Sequence, residues 1–403
     1  MHPTELNIDL RSFAIFKDFA LEQIEAVLAH ATIRQLGPND ILIQPGVPND
    51  TLYLIVEGTF HIVVENEGKE VAFPIGPGEC IGEISLVLNQ PTSALAISQG
   101  ASAVVCIPDH LFWKEVALNK QGIRNLIATM AGRLRRANYA LIEEIEEQLK
   151  YKHLEKELET AGKIQSGIVP NGRNLLHQCH EIDAFAFIKQ AREVGGDFYD
   201  AILLDDEHIY FAIGDVSGKG MPAALFMMRI FTSLRMLINN TPQVDRVITH
   251  VNNLLARNNN DMMFVTLFAG ILNTRTGKLE YVNAGHNAPF IIKHDTEEKV
   301  QTLNKRNGPL LGVIEKAKFS LGELTLHKGD ALLLYTDGVS EAMNIQDEMF
   351  GMERMEQVFR SATKDSMVDL AKKLEQELDQ FVGGADQYDD FTVLALRYLG
   401  PVE

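Results

Sequence analysis

An apolar run at residues 209–213, followed by the glycine-rich segment GDVSGKG at 214–220, most constrains what this chain can fold into. The run has the length and composition of a buried strand. A helix is expected from about Met221, because Pro222 suits a first helical turn, where its missing N–H would be unpaired anyway. The sequence thus predicts Asp215 at the tip of a strand, where glycines let a ligand approach closely. A strand–turn–helix junction with an aspartate in its turn explains the stretch equally well on its own.

Length, charge and cysteine count limit the class of protein. With 403 residues, the chain is expected to form two or three domains. A net charge of −18 argues against nucleic acid or an anionic membrane as a partner. Three scattered cysteines fit neither a disulfide framework nor a cysteine zinc site, so a reducing cytoplasm is expected. From the absence of a basic-then-apolar pattern in the first residues and of a long uncharged apolar run, neither a secretory leader nor a transmembrane helix is expected.

The first domain is expected at residues 1–120, as a β-roll with flanking helices. A short helix is predicted over 16–31, followed by short strands near 41–43, 52–56, 60–64, 94–98 and 103–107. Strands this short at this spacing are typical of a small barrel or double-sheet roll. Between them, residues 76–86 are expected to form two turns around a short helix, which would present backbone N–H groups and one carboxylate to a small ligand.

This region resembles the cyclic nucleotide-binding domain. The resemblance rests on Gly46, on the segment from Tyr53 to Gly58, and on the sequence GEISL at 82–86. It implies ligand contacts from Gly82, Glu83, Thr92 and Ser93, with the glutamate binding the ribose hydroxyl. Thr92 stands where the family has an arginine that pairs with the cyclic phosphate, and no arginine occurs between Arg34 and Arg124.

Losing that bidentate guanidinium removes a strong charge-assisted pair. The sequence therefore argues against ordinary cyclic nucleotide binding. Two alternatives stay open beside it: a roll kept for packing or partner docking, and a site for a less charged molecule.

A long helix is expected over residues 121–168. Its apolar residues alternate in three- and four-residue steps, which is the pattern of a coiled-coil seam, and then shift through steps of four, which is a stutter. The seam comprises Ile123, Ile127, Met130, Leu134, Ala137, Leu141, Ile145, Leu149, Leu154, Leu158 and Ala161. The alternatives are a helix folded onto its own protein and a parallel two-stranded homodimer. The homodimer is favoured, because a single helix of this length has no core against which it could bury its row of apolar residues.

The third domain is expected at residues 169–403, with an α+β fold of two packed sheets and helices outside them (α-β-β-α). Four aspartates follow or precede apolar strands beside glycine or another acid: Asp197, Asp215, Asp337 and Asp389. Carboxylates that converge at one edge would repel and raise one another's pKa. Oxygen ligands favour Mg²⁺ or Mn²⁺ over zinc, so the pattern predicts a metal site.

These residues resemble the protein phosphatase 2C family, in its bacterial branch of sporulation stage II E and stress-response sigma-regulator phosphatases. The motifs occur in order, from about Ala161 to Leu399: GGDFYD at 195–200, GDVSGKG at 214–220, AGHNAP at 284–289, TDG at 336–338 and DDFT at 389–392. The resemblance implies two Mn²⁺ or Mg²⁺ ions. Asp215 would bridge them, the Val216 carbonyl would add a ligand, Asp337 and Asp389 would hold one ion, and Asp197 would ligate or position water.

The implied activity is hydrolysis of phosphoserine or phosphothreonine in a protein, with Asp215 and Asp197 as the catalytic residues. By resemblance, the substrate would be an anti-sigma-factor antagonist in a partner-switching pathway, and the N-terminal domain would be a sensor that regulates the phosphatase. His286 and Asn287 are either an acid with an orienting amide or, as we favour, a structural turn. Lys219 and Arg192 either contact substrate phosphate or are solvated, and Ser217 has no histidine partner that would make it a nucleophile. The alternative function is a signalling scaffold that holds its metals too weakly to turn over.

Overall fold

The computed structural model describes residues 10–66, 69–257, 259–294, 296 and 299–401. The chain divides into two compact units, Met1–Leu149 and Lys150–Glu403. We call them the N-terminal unit and the C-terminal unit.

The N-terminal unit is a roll of two four-stranded antiparallel sheets. Their strand orders are β1-β8-β3-β6 and β2-β7-β4-β5. The strands are β1 (Thr32–Leu36), β2 (Ile41–Ile43), β3 (Thr51–Glu57), β4 (Phe60–Asn66), β5 (Lys69–Ile75), β6 (Cys80–Ile81), β7 (Leu95–Ser98) and β8 (Ser102–Pro108). The helices are α1 (Leu21–Leu28), α2 (Glu83–Leu88) and α3 (Asp109–Leu111). One core lies between the sheets, and a second lies between one sheet and the helices.

Two features of this unit differ from the sequence prediction. The helix expected over 16–31 is only α1, because Asp18 has a left-handed backbone with φ of 62°, which a continuing helix cannot contain. The strands β1 and β5 were not predicted. Both are edge strands with several exposed side chains, so they lack the apolar signal of central strands.

A single helix, α4 (Lys120–Ser166), is 47 residues long and crosses the division between the units. Near its start, Leu126 packs into the core of the N-terminal unit. Near its end, Gln165 is buried within the C-terminal unit. Between these positions many apolar side chains are exposed, among them Leu134, Leu141, Leu149 and Leu154.

The C-terminal unit contains two five-stranded antiparallel sheets, ordered β10-β11-β12-β13-β16 and β15-β14-β17-β18-β9. The strands are β9 (Ile182–Lys189), β10 (Phe198–Leu203), β11 (His208–Val216), β12 (Val265–Asn273), β13 (Lys278–Ala284), β14 (Phe290–Ile292), β15 (Val300–Thr302), β16 (Gly322–Thr325), β17 (Ala331–Tyr335) and β18 (Phe391–Tyr398). The helices are α5 (Met221–Asn240), α6 (Val244–Ala256), α7 (Asp337–Ser340), α8 (Gly351–Ser361) and α9 (Met367–Val382).

Three apolar cores arrange these elements in layers. One core lies between the two sheets and contains Phe211, Phe268 and Leu394. The second packs α5 and α6 onto the sheet of β10 to β13, and the third packs α8 and α9 onto the other sheet. The short strands β14, β15 and β16 and the helix α8 were not predicted. Three or four residues carry too little periodicity to show a strand, and α8 has the polar composition of a surface helix.

Helix α5 is the one helix in the described part of the chain that has the length and apolarity of a membrane span. Its inward face packs in the core against β10 and β11, with Met227, Ile230 and Leu234 among its buried residues. Those contacts are the contacts of a core helix.

Candidate active site

The structure brings the predicted acidic residues together at one end of the two sheets. The pairing of β10 with β11 sets Phe198 opposite Gly214, so Asp197 and Asp215 lie side by side. The pairing of β17 with β18 sets Tyr335 opposite Val393, so Asp337 and Asp389 leave the second sheet at the same end. Asp215 senses the charges of Asp337 and Asp389 and contacts the carboxyl group of Asp197.

Burial and mutual repulsion raise the pKa values in this cluster. Burial raises the pKa of Asp215 to about 7, and the charges of Asp337 and Asp389 add to the rise. Burial, then Asp215, raises the pKa of Asp197 well above its ordinary value. The pKa of Asp337 is raised by burial and by Asp389. The folded chain therefore concentrates more negative charge here than its own groups neutralise.

Two buried threonines hold Asp197 in place. The hydroxyl groups of Thr336 and Thr392 donate to the same oxygen, Oδ2 of Asp197, at 2.7 and 2.6 Å. Both threonines are fully buried. Neither threonine was predicted to belong to the site. The one available signal is that each lies in a motif that also contains a predicted aspartate, TDG at 336–338 and DDFT at 389–392.

The neighbouring acids Asp389 and Asp390 have different surroundings. Asp390 is buried and accepts from the backbone N–H groups of Ala191 and Gly196, at 2.8 and 3.0 Å. Asp389 is about half exposed and pairs with Lys219 at 3.1 Å. Both acids line the cleft with Asp215 and Lys219, but Asp390 also holds the loop before β10 through its two oxygens, whereas Asp389 is the more exposed of the two.

Glycines make the close approach of these loops feasible. A Cβ on Gly195 would lie 2.1 Å from Oδ2 of Asp390, and one on Gly196 would lie 2.8 Å from the carbonyl oxygen of Val216. Real Cβ atoms do not approach that closely, so both positions need glycine. Val216 itself is buried and lines the same cleft.

The other polar residues singled out in the sequence have structural contacts. His286 is buried, its Nδ1 lies 2.8 Å from the Thr266 hydroxyl, and burial lowers its pKa to about 4. Asn287 contacts the Tyr335 hydroxyl. The Ser217 hydroxyl accepts from the backbone N–H of Phe264 at 2.9 Å. Arg192 is exposed and lines the cleft.

The last turn of α4 is fastened to the loop that carries Asp197. The Gln165 side chain donates to the carbonyl oxygen of Gly195 at 2.7 Å and accepts from the N–H of the same residue at 3.1 Å. Gln190 donates to the same Gln165 oxygen at 3.2 Å. Gln165 therefore replaces the paired backbone bonds that a neighbouring strand would give.

The chemistry of this donor set fits a hard divalent cation. No ion pair joins a described residue to Asp197, Asp215 or Asp337, and Lys219 pairs only with Asp389 among the acids of the cleft. Within the described residues, no three acidic, histidine or cysteine side chains are arranged to bind one ion together in this structure. The carboxylates nevertheless offer oxygen ligands, and their negative charge is not balanced by ion pairs. Both features suit Mg²⁺ and Mn²⁺.

In the N-terminal unit, the four residues that the sequence indicated for a ligand line one cavity. Gly82, Glu83, Thr92 and Ser93 all face a space of about 210 Å³. Arg133 of α4 also lines it and forms an ion pair with Glu83. Arg133 was not predicted as a cavity residue, because a basic residue on a long polar helix carries no sequence signal of its contacts.

Two protein families match this chain, one in each unit. The profile of the family "Stage II sporulation protein E (SpoIIE)" matches residues 205–399, and that of the family "Cyclic nucleotide-binding domain" matches residues 33–119. Asp197 precedes the first of these matches.

Three individual proteins illustrate the similarity. Protein IcfG of Synechocystis is 32% identical over 60% of this chain and 41% of its own length. Phosphoserine phosphatase RsbU of Bacillus subtilis is 27% identical over 60% of this chain and 70% of its own length. The solved PP2C domain of SiaA from Pseudomonas aeruginosa covers 62% of this chain and 98% of that domain, with a TM-score of 0.54 and 21% identity, a likeness of fold.

The chain thus spans well under half of the IcfG protein and about 70% of RsbU. Its two matched regions lie in different units, and the predicted ligand-contacting residues of each lie together in its own structure. The chain therefore joins a domain of the cyclic nucleotide-binding type to a SpoIIE-type domain with the protein phosphatase 2C fold.

Proposed function

We propose that this chain is a metal-dependent serine/threonine phosphoprotein phosphatase. The observation that carries the proposal is the cluster of the buried Asp197 with the half-buried Asp215 and Asp337, none of which forms an ion pair with a described side chain. Asp215 and Asp337 lie in the region that matches the SpoIIE family, and the chain is similar to phosphoserine phosphatase RsbU over 60% of its length. Two Mn²⁺ or Mg²⁺ ions bound by Asp197, Asp215, the Val216 carbonyl, Asp337 and Asp389 would acidify water and neutralise charge that develops on the phosphoryl group.

The chain's own residues prepare this site in three ways. The hydroxyls of Thr336 and Thr392 fix the orientation of Asp197. Asp390 holds the loop from Ala191 to Gly196 through backbone N–H groups. Lys219 and Arg192 line the same cleft and can bind phosphate oxygens of the substrate.

The substrate class that we propose is phosphoserine on a small anti-sigma-factor antagonist. The support is the resemblance of the motifs to the sigma-regulator branch and the similarity to RsbU. The cleft beside Asp215 is open to solvent at Asp389, which is half exposed, so a phosphorylated side chain on a protein surface can reach it.

We further infer that the chain is a cytoplasmic homodimer joined through α4. Its exposed apolar residues include Leu134, Leu141 and Leu149, which are 64%, 53% and 61% exposed. Exposed leucines at coiled-coil spacing are stabilised by a second helix. Sedimentation equilibrium should therefore give twice the mass of one chain, and Leu141→Glu should lower it. A single-chain mass for the wild type would contradict the dimer.

Hydrolysis of an aryl phosphate by the full chain tests the enzymatic proposal. Activity should require Mn²⁺ or Mg²⁺ and disappear with a chelator. Asp215→Asn should lower the rate about a thousandfold, since metal ions supply several kcal/mol of transition-state stabilisation. Asp206→Asn is the matched control, because Asp206 is exposed in the turn between β10 and β11 and should leave the rate unchanged.

The rival function is a signalling scaffold with a weakly held metal. It predicts no metal-dependent turnover in the wild type, even with saturating Mn²⁺ and a phosphoserine peptide. That result, in a chain that unfolds cooperatively, would overturn the phosphatase proposal.

A further inference from the structure

The cavity of the N-terminal unit, which we call the roll cavity, is largely apolar. Its volume is about 210 Å³, and its wall includes Ile43, Ile62, Ile75, Ile81 and Leu88. A cavity on the order of 150 Å³ lined by aliphatic side chains can hold benzene. The roll cavity therefore has room for an aromatic ring with a short substituent.

The polar end of the roll cavity is neutral overall. Glu83 is 2% exposed and pairs with Arg133, which also donates to the carbonyl oxygen of Cys80. Among the described residues that line the cavity, Arg133 is the single lysine or arginine. One carboxylate and one guanidinium cancel, so the cavity holds no surplus positive charge for an anionic ligand.

Thr92 is not free to replace the arginine of the family pattern. Its hydroxyl lies 2.5 Å from the carbonyl oxygen of Gln44 and 3.1 Å from that of Val47, so its one hydrogen is donated to the backbone. A phosphate at this end would have to draw Arg133 away from Glu83. That exchange leaves a buried carboxylate without its partner, which is strongly unfavourable.

Arg133 has donors left over. Of the five N–H groups of its guanidinium, two donate to Glu83 and to the carbonyl oxygen of Cys80. Its Nε atom is buried and has no hydrogen-bond acceptor among the described residues. The side chain as a whole is 21% exposed and lines the roll cavity, so a ligand oxygen can accept from one of the remaining terminal N–H groups without disturbing the pair with Glu83.

We propose that the roll cavity binds a small, uncharged and largely apolar molecule that carries one hydrogen-bond acceptor for Arg133, and that it does not bind a cyclic nucleotide. The class includes aromatic ketones, which combine an apolar ring with a carbonyl oxygen. The inference concerns the N-terminal unit alone and does not depend on the activity proposed for the C-terminal unit.

A pair of matched probes tests this inference on the full chain by ligand-observed saturation-transfer NMR and titration. Acetophenone has the acceptor, and isopropylbenzene has the same shape without it. Acetophenone should bind about tenfold tighter or more, since a hydrogen bond to a charged donor is worth that ratio. Cyclic AMP should give no saturable signal. Ala96→Phe should remove acetophenone binding, because Ala96 is buried in the cavity wall and the larger ring fills the space.

Two conservative variants separate the hydrogen bond from the ion pair. Arg133→Lys keeps a cation beside Glu83 but loses the planar fork of five N–H donors, which lets Arg133 bond Glu83, the Cys80 carbonyl and a ligand from different nitrogen atoms, so the preference for acetophenone should fall toward one. Arg136→Lys is the control, since Arg136 pairs with Glu79 and does not line the cavity. Fluorescence of Trp113, the one tryptophan of the chain, reports whether each variant keeps the unit folded.

Saturable cyclic AMP binding that competes with acetophenone would overturn the inference. So would equal affinities for the two aromatic probes, or the absence of binding by both. These wild-type outcomes decide the question even if Ala96→Phe fails to fold.

Discussion

The two units both bury carboxylates, but they neutralise them differently. In the N-terminal unit, burial raises the pKa of Glu83, while the facing Arg133 opposes the rise. In the C-terminal unit, burial raises the pKa of Asp215 to about 7, and Asp337 and Asp389 raise it further. One unit supplies its own cation, and the other surrounds one acid with more acids.

This difference separates two kinds of ligand site. A buried carboxylate that is already paired with a cation has no net charge to balance, so an uncharged ligand leaves the ion pair intact. A buried acid among acids is incomplete, and a divalent cation stabilises the folded chain by supplying the missing charge. The charge balance of each site thus indicates its ligand class, independently of the family to which the domain is similar.

Arg133→Met should have the largest effect on stability. Removing one partner of a buried ion pair costs about 3–5 kcal/mol, because the other charge stays buried. Urea unfolding of the N-terminal unit, followed by Trp113 fluorescence, should show that loss. Arg136→Met should cost less than about 1 kcal/mol, because the Arg136 side chain is 71% exposed. Equal losses of unfolding free energy in Arg133→Met and Arg136→Met would show that the Glu83–Arg133 pair stabilises the unit no more than an exposed ion pair does.

A smaller effect is expected from pH on the metal-free C-terminal unit. The pKa of Asp215 rises from 3.8 in an ordinary aspartate to about 7 in the fold. The folded state then binds more protons than the unfolded state between these values, so stability falls as pH rises from about 4 to about 7. In chelator, Asp215→Asn should be more stable than the wild type at pH 8 by roughly 3 kcal/mol, and the two should converge near pH 4.

Scanning calorimetry at several pH values measures this difference, since it also detects a unit that contains no tryptophan. His286 has the opposite dependence, as burial lowers its pKa to about 4, but it is common to both proteins and cancels in the comparison. A difference that does not depend on pH would contradict the crowding of acids around Asp215.

The smallest expected effect is that of Thr336→Val. The change keeps the shape of the side chain but removes one of two hydroxyl donors to Asp197, so it should destabilise the unit by about 1 kcal/mol. Phosphatase activity should fall about tenfold, because Thr392 alone orients the carboxylate less firmly. Thr232→Val is the control, since Thr232 is an exposed residue of α5 and its hydroxyl donates to the Met228 carbonyl of the same helix. An unchanged rate in Thr336→Val would remove the orienting role.

The sequence predicted the central parts of the fold and the acids of the site. The strands around Asp215 and Asp337 are long apolar runs that end in glycine or an acid, and such runs are readable from composition. The coarse order was confirmed: a β-rich cyclic-nucleotide-type domain, a long helix and a domain of the phosphatase 2C fold.

What the sequence did not predict depends on contacts between distant residues. Arg133 is 50 positions from Glu83, and Thr392 is 195 positions from Asp197, so no local pattern reports either bond. The edge strands β1 and β5 were missed for another reason, since their solvent-facing residues blur the alternation that marks a strand.

The double hydrogen bond between Gln165 and Gly195 has a consequence for engineering the protein. Both bonded residues lie within the C-terminal unit, and Gln165 is fifteen positions beyond its first residue, Lys150. A chimera in which an unrelated sensor domain replaces residues 1–149 would therefore keep the two hydrogen bonds between Gln165 and the loop that carries Asp197. Chimeras whose junction lies after Gln165 would lose both hydrogen bonds, so the junction has to lie before that residue.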